Sequence, residues 1–83
     1  MKITVKYFAS IREAIGQGSE SLDTAAATVG ALRDELIARS PAHADSLARG
    51  KAVRIALNQV MVDESVPVTT GAEVAFFPPV TGG

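Results

Sequence analysis

Apolar residues recur at every second position near both ends of this chain, and at helical spacing in between. At the start, Ile3, Val5 and Tyr7 alternate with Lys2, Thr4 and Lys6. Later, Val53, Ile55 and Leu57 alternate with Arg54 and Ala56, and a final run closes at Phe77. Between these stretches, Val29, Leu32 and Leu36, with either Arg33 or Ile37, form one stripe of a helix whose wet side carries Asp34 and Glu35. A period of two buries one face of a strand, and a period of 3.6 buries one stripe of a helix. Neither can bury its apolar side alone, so the helix must lie on the sheet. With 83 residues and 8.6 kDa, there is material for one domain.

Punctuation divides the chain further. The first strand runs to Phe8, residues 9–15 suit one or two helical turns with Ile11 and Ile15 on one side, and Gly16 and Gly18 break them. Residues 20–24 read as a short second strand with Leu22 its only large apolar residue. Thr28 is an N-cap for the main helix; Ser40-Pro41 ends that helix and caps a second short one, which exits at Gly50. Residues 52–57 read as a strand, Asn58-Gln59 as a turn, 60–62 as a return strand, 69–71 as another turn and 73–77 as the last strand. This order fits an α+β fold, a β-grasp (ubiquitin-like) roll in which a mixed sheet packs on one main helix. The topology puts the first and last strands side by side and parallel at the centre. The expected division is a β-grasp domain over residues 1–77 and an extended, flexible Gly-Gly tail over 78–83.

Charge and composition remove several function classes. Lys and Arg total 8 against 9 Asp and Glu, a net charge of -1, so nucleic acid and anionic membranes are not expected partners. Cys is absent, which excludes disulfides, thiolate metal sites and a cysteine nucleophile. No apolar run reaches the length of a membrane span, and the start alternates where a leader would be continuously apolar, so the default address is cytoplasmic. His43 is the only histidine and reads as a solvated residue of the short helix; no metal site is expected. Asp34-Glu35 and Asp63-Glu64 are adjacent pairs that point to different faces and read as surface charges. Gly16-Gln17-Gly18 lacks the context of a phosphate loop. The chain is not expected to be an enzyme by itself.

The last stretch is Phe77-Pro78-Pro79-Val80-Thr81-Gly82-Gly83. The two prolines end sheet pairing and hold an extended geometry. Six residues from Pro78 reach roughly 20 Å. Gly82 and Gly83 lack a Cβ and suit a channel too narrow for other residues, with the terminal carboxylate as the tip.

Along nearly its whole length the sequence resembles the small subunits of molybdopterin synthase, ubiquitin-like sulfur carriers. The matching pieces are Tyr7-Phe8-Ala9 leading to Ile11-Arg12-Glu13 and Gly16, Thr28-Val29 and Leu32-Arg33, Val53 through Asn58-Gln59, and the run from Gly71 to Gly83. Ala72 departs from the family, which often has Asp after the turn glycine. The resemblance implies that a ubiquitin-activating-like adenylyltransferase adenylates Gly83 with ATP and that a persulfide donor leaves a thiocarboxylate there. The tail of Pro78, Pro79, Val80, Thr81 and Gly82 then carries the sulfur into the large subunit, for transfer to cyclic pyranopterin monophosphate in molybdenum cofactor biosynthesis. It also implies a heterotetramer of two small and two large subunits, catalytic groups on the large one, and no cofactor bound by this chain except the covalently carried sulfur.

A docking face follows from the pleat. If Ile3, Val5 and Tyr7 face the helix, Phe8 falls on the outer face; if Val74 and Phe76 face it, so does Phe77. Met61 is a candidate third member, and Arg12 completes the expected partner-binding set. Two other readings stay open: a sulfur carrier for thiamine thiazole synthesis or tRNA thiolation, and a non-covalent β-grasp interaction module with an inert tail.

Overall fold

The computed structural model describes residues 1–79. Its elements are β1 (Lys2–Tyr7), α1 (Ala9–Ile15), β2 (Ser19–Asp23), α2 (Val29–Ile37), α3 (Pro41–Leu47), β3 (Arg54–Leu57), β4 (Val60–Val62) and β5 (Glu73–Phe77). They form one mixed sheet in the order β2-β1-β5-β3-β4. β1 and β5 pair in parallel, with Val5 opposite Val74 and Tyr7 opposite Phe76, and every other pair is antiparallel. The first and last strands therefore meet at the centre, as the topology requires.

The two periodicities meet in the core. Ile3, Val5, Tyr7, Ile55, Val74 and Phe76 on the inner sheet face pack against Val29, Leu32 and Leu36 of α2 and Leu47 of α3. Thr28 caps α2, its hydroxyl accepting the Ala31 N–H at 3.1 Å. The freed N–H groups of the first turn find carbonyls in the loop before β5: Val29 donates to Val66 at 3.0 Å and Gly30 to Glu64 at 2.9 Å. That approach needs glycine, because a Cβ on Gly30 would stand 3.1 Å from the Glu64 carbonyl oxygen. Ala72 is buried in the core, its N–H donating to the Thr69 carbonyl at 3.1 Å.

Four expectations need correction. His43 is 6% exposed rather than solvated: its Nε2 lies 3.0 Å from Glu20 Oε2, and its Nδ1 lies 2.7 Å from Ser40 Oγ. α3 turns this side inward against β2, and the ring stands edge-on to Tyr7 with centroids 5.7 Å apart. Glu64 is not a free surface charge, since Arg33 Nη1 donates to it at 2.8 Å and Arg49 engages its other oxygen. The third strand begins at Arg54 rather than residue 52, because the chain up to Lys51 is held by a different partner, Arg33. That side chain occupies the ambiguous helical position, is 3% exposed, and donates to the carbonyls of Leu47 at 2.8 Å, Ala48 at 2.7 Å and Lys51 at 3.0 Å. Finally, the second strand is shifted by one residue, to Ser19–Asp23.

Candidate functional site: an aromatic patch at the root of the tail

β1 and β5 run in the same direction, so their C-terminal ends lie together, and Phe8 and Phe77 extend the outer face there. The chain turns sharply after Phe8, with Ala9 in the left-handed region at φ 51. The Phe8 N–H still donates to the Phe76 carbonyl at 3.2 Å, so the residue stays tied to the sheet while its side chain points outward. Phe8 and Phe77 stack at a centroid distance of 4.6 Å and 8° from parallel. Stacking does not bury the pair: Phe8 is 40% exposed, and Met61 on β4 is 53% exposed. Together with Arg54, Pro78 and Pro79 they line a hollow of about 470 Å³.

The outer face beside this hollow is floored by small residues. Lys6, Ala75, Ala56 and Met61 stand in one row across four strands. Both alanines are buried, because a methyl group between longer neighbours shows little surface. Lys6 pairs with Glu73 at 3.3 Å along the same face. The result is a shallow apolar depression with an aromatic rim, next to the point where two prolines stop the ladder.

Of the expected site residues, the fold brings together Phe8, Met61, Phe77, Pro78 and Pro79. Arg12 is exposed on α1 but runs beside Gly18, where its Nε would lie 3.3 Å from an added Cβ; it does not line the hollow. Val80, Thr81, Gly82 and Gly83 lie outside the described residues. Sequence reasoning missed Arg54, which the register sets directly opposite Phe77. The alternation of Val53, Arg54 and Ile55 does put Arg54 on the outer face, but one exposed arginine looks like any solvated charge until the register supplies its neighbour.

Among the described residues that line the hollow there is no carboxylate, imidazole, hydroxyl or amine side chain. Among the described residues, no three His, Asp or Glu side chains group as a metal site, and no helix is long and apolar enough to cross a membrane. A polar cluster around Glu20 lies on the helix side of the sheet. There Tyr7 donates to Glu20 at 2.7 Å, and Arg39 pairs with the same carboxylate at 3.2 Å. Burial pushes the Glu20 carboxyl up, yet hydrogen bonds from Tyr7 and His43 and the charge of Arg39 outweigh it and hold the group below the usual carboxylate range. Burial first, then the bond to Glu20, raises the Tyr7 phenol. Tyr7, His43 and Glu20 satisfy one another largely out of solvent, with the exposed Arg39 closing the outer side, as in a structural cluster.

The sequence profile of the ThiS family matches residues 5–83. This chain belongs to the ThiS family. The molybdopterin synthase sulfur carrier subunit of Escherichia coli (strain K12) is 44% identical over 81 residues, covering 98% of this chain and 99% of the relative. The fold is shared with SAMP1 from Haloferax volcanii, at a TM-score of 0.78 and 27% identity over the whole of both chains. A protein-protein complex of subunits 1 and 2 of the molybdopterin-converting factor from Helicobacter pylori 26695 contains a chain matching at TM-score 0.70 and 25% identity, again over the full length of both. The β-grasp, ubiquitin-like architecture and the resemblance to the sulfur-carrier family are thus established together.

Proposed function

We propose that this ThiS-family chain is the sulfur-carrier subunit of molybdopterin synthase. The observation that carries the reading is where Pro78 and Pro79 leave the sheet: at the ends of the parallel central strands, beside an exposed Phe8–Phe77 stack. The full-length relative from Escherichia coli is named for this role. A complex of the two converting-factor subunits is known for the Helicobacter pylori counterpart, which supports a large-subunit partner here.

The chemistry puts the reactive group on the backbone at Gly83. A carboxylate is a poor electrophile, so a ubiquitin-activating-like adenylyltransferase joins the Gly83 carboxylate to AMP from ATP, releasing pyrophosphate. The terminal sulfur of a persulfide donor then displaces AMP to give an acyl disulfide, and a second thiol of the donor system cleaves its S–S bond, becoming a disulfide itself and leaving a thiocarboxylate on Gly83. Phe8, Phe77 and Met61 dock the sheet face on the large subunit while Pro78, Pro79, Val80, Thr81 and Gly82 lead the sulfur into its active site. There it passes to cyclic pyranopterin monophosphate, two such transfers producing the dithiolene that binds molybdenum. This chain supplies position and a thin uncharged tail; the large subunit supplies the catalytic groups, in an assembly of two small and two large subunits. ATP belongs to the activating partner, and this chain holds no cofactor beyond the covalently bound sulfur.

Deleting Gly82 and Gly83 separates this role from that of an inert docking module. The truncated protein is expected to fold and bind the large subunit yet support no conversion of the pterin precursor in a reconstituted assay. Full conversion by the truncated protein would refute the carrier role.

A further inference from the structure

Arg54 is the charged residue that lines the hollow with Phe8, Met61 and Phe77. Its surroundings differ from those of three other arginines. Arg33, Arg39 and Arg49 each pair with a carboxylate, from Glu64, Glu20, and Asp34 with Glu64 respectively. Arg54 is exposed and makes no ion pair among the described residues. The carboxylate next along the chain from β4, Asp63, accepts the Ser65 N–H at 2.8 Å and the Ser65 hydroxyl on one of its oxygens and forms no ion pair with Arg54. Lys6 and Glu73, on the same outer face, neutralise each other. The docking face therefore presents a guanidinium that has no ion pair among the described residues, at the position the sheet register sets opposite Phe77.

We propose that Arg54 is a specificity contact of this face, received by a carboxylate of the large-subunit partner at the rim of the pocket that takes Phe8 and Phe77. The inference rests on the docking role assigned to the patch above. A partner that covered Arg54 with apolar or basic surface would leave a guanidinium desolvated without a counter-ion, at considerable cost. The planar guanidinium matches a carboxylate through two parallel hydrogen bonds, so it fixes orientation as well as charge. The aromatic stack supplies contact area, whereas the arginine steers the encounter and rejects partners lacking an acid at that point.

The test is association kinetics with the purified molybdopterin synthase large subunit of the same organism, over a range of salt concentrations. Arg54→Glu is expected to associate about tenfold more slowly at low salt, the difference closing near 1 M salt, where the screening length is about 3 Å. Arg54→Lys is expected to keep most of the rate, and unchanged thermal melting of both variants would exclude misfolding. Phe77→Ala is expected to dissociate faster while its association keeps the wild-type salt dependence. If Phe77→Ala binds more weakly but Arg54→Glu associates like wild type at every salt concentration, the role of Arg54 is overturned and the docking face stands. If both variants bind as wild type does, the docking face is misassigned and the inference falls with it.

Discussion

Asn58 and Gln59 connect β3 to β4 through a two-residue turn with both residues in the left-handed region, at φ 50 and 70. Asn58 is suited to this: its side-chain oxygen accepts the Glu73 N–H at 2.9 Å, tying the hairpin to β5. Gln59 has no such compensation, and a left-handed side-chain residue costs roughly 1–2 kcal/mol, against about 0.5–1 kcal/mol of extra chain entropy for glycine. Gln59→Gly should therefore stabilise the protein by about 0.5–1 kcal/mol in chemical denaturation. Glu20 gives a pH prediction at the same scale. Its carboxyl is held below its ordinary value of 4.5 in the folded protein. The stability it contributes is thus present above the unfolded value and is lost as pH falls through the folded one. Denaturation midpoints measured below about pH 4.5 should fall more steeply with acid for wild type than for Glu20→Gln. The turn was legible in the sequence because Asn-Gln interrupts an alternation. The burial of His43 was not, because its partners Glu20 and Tyr7 are distant in sequence and meet it only after the helix has crossed the sheet.

At the scale of elements, α2 was legible from its apolar stripe and its Thr28 cap, and the structure adds what the stripe alone left open. The fourth buried position belongs to Arg33 and not to Ile37, since the guanidinium finds three carbonyls and Glu64 at the end of α3 and the approach to β3. A helical wheel cannot foresee an arginine buried by carbonyls that belong to another element. Leu32→Ala and Leu36→Ala should each cost about 2–5 kcal/mol in urea or guanidinium unfolding, since both side chains are fully buried against the sheet. Gly30→Val should also destabilise, by about 1–3 kcal/mol, because its branches would push the loop at Glu64 away from two N–H groups that it satisfies.

At the scale of the whole molecule, the parallel pairing of β1 with β5 is the feature on which the proposed docking site rests. It brings residues 8 and 77, far apart in sequence, into a stack and starts the Pro78-Pro79 segment beside them. The pleat foretold that both phenylalanines face outward; their stacking and the place of Arg54 beside them needed the register. Phe8→Ala and Phe77→Ala should each weaken binding of the large subunit by about 1–3 kcal/mol in calorimetry while leaving the melting temperature nearly unchanged. The claim that joins these levels is that the reactive group is the end of the chain, not a side chain. It is tested most directly by intact-protein mass spectrometry after incubation with the activating enzyme, ATP and a persulfide donor. The account predicts a mass increase equal to one sulfur replacing one oxygen, located on the Gly83 terminus by fragmentation and missing from a variant extended by one residue. An unchanged mass under conditions that load an authentic sulfur carrier, or loading of the extended variant, would contradict it.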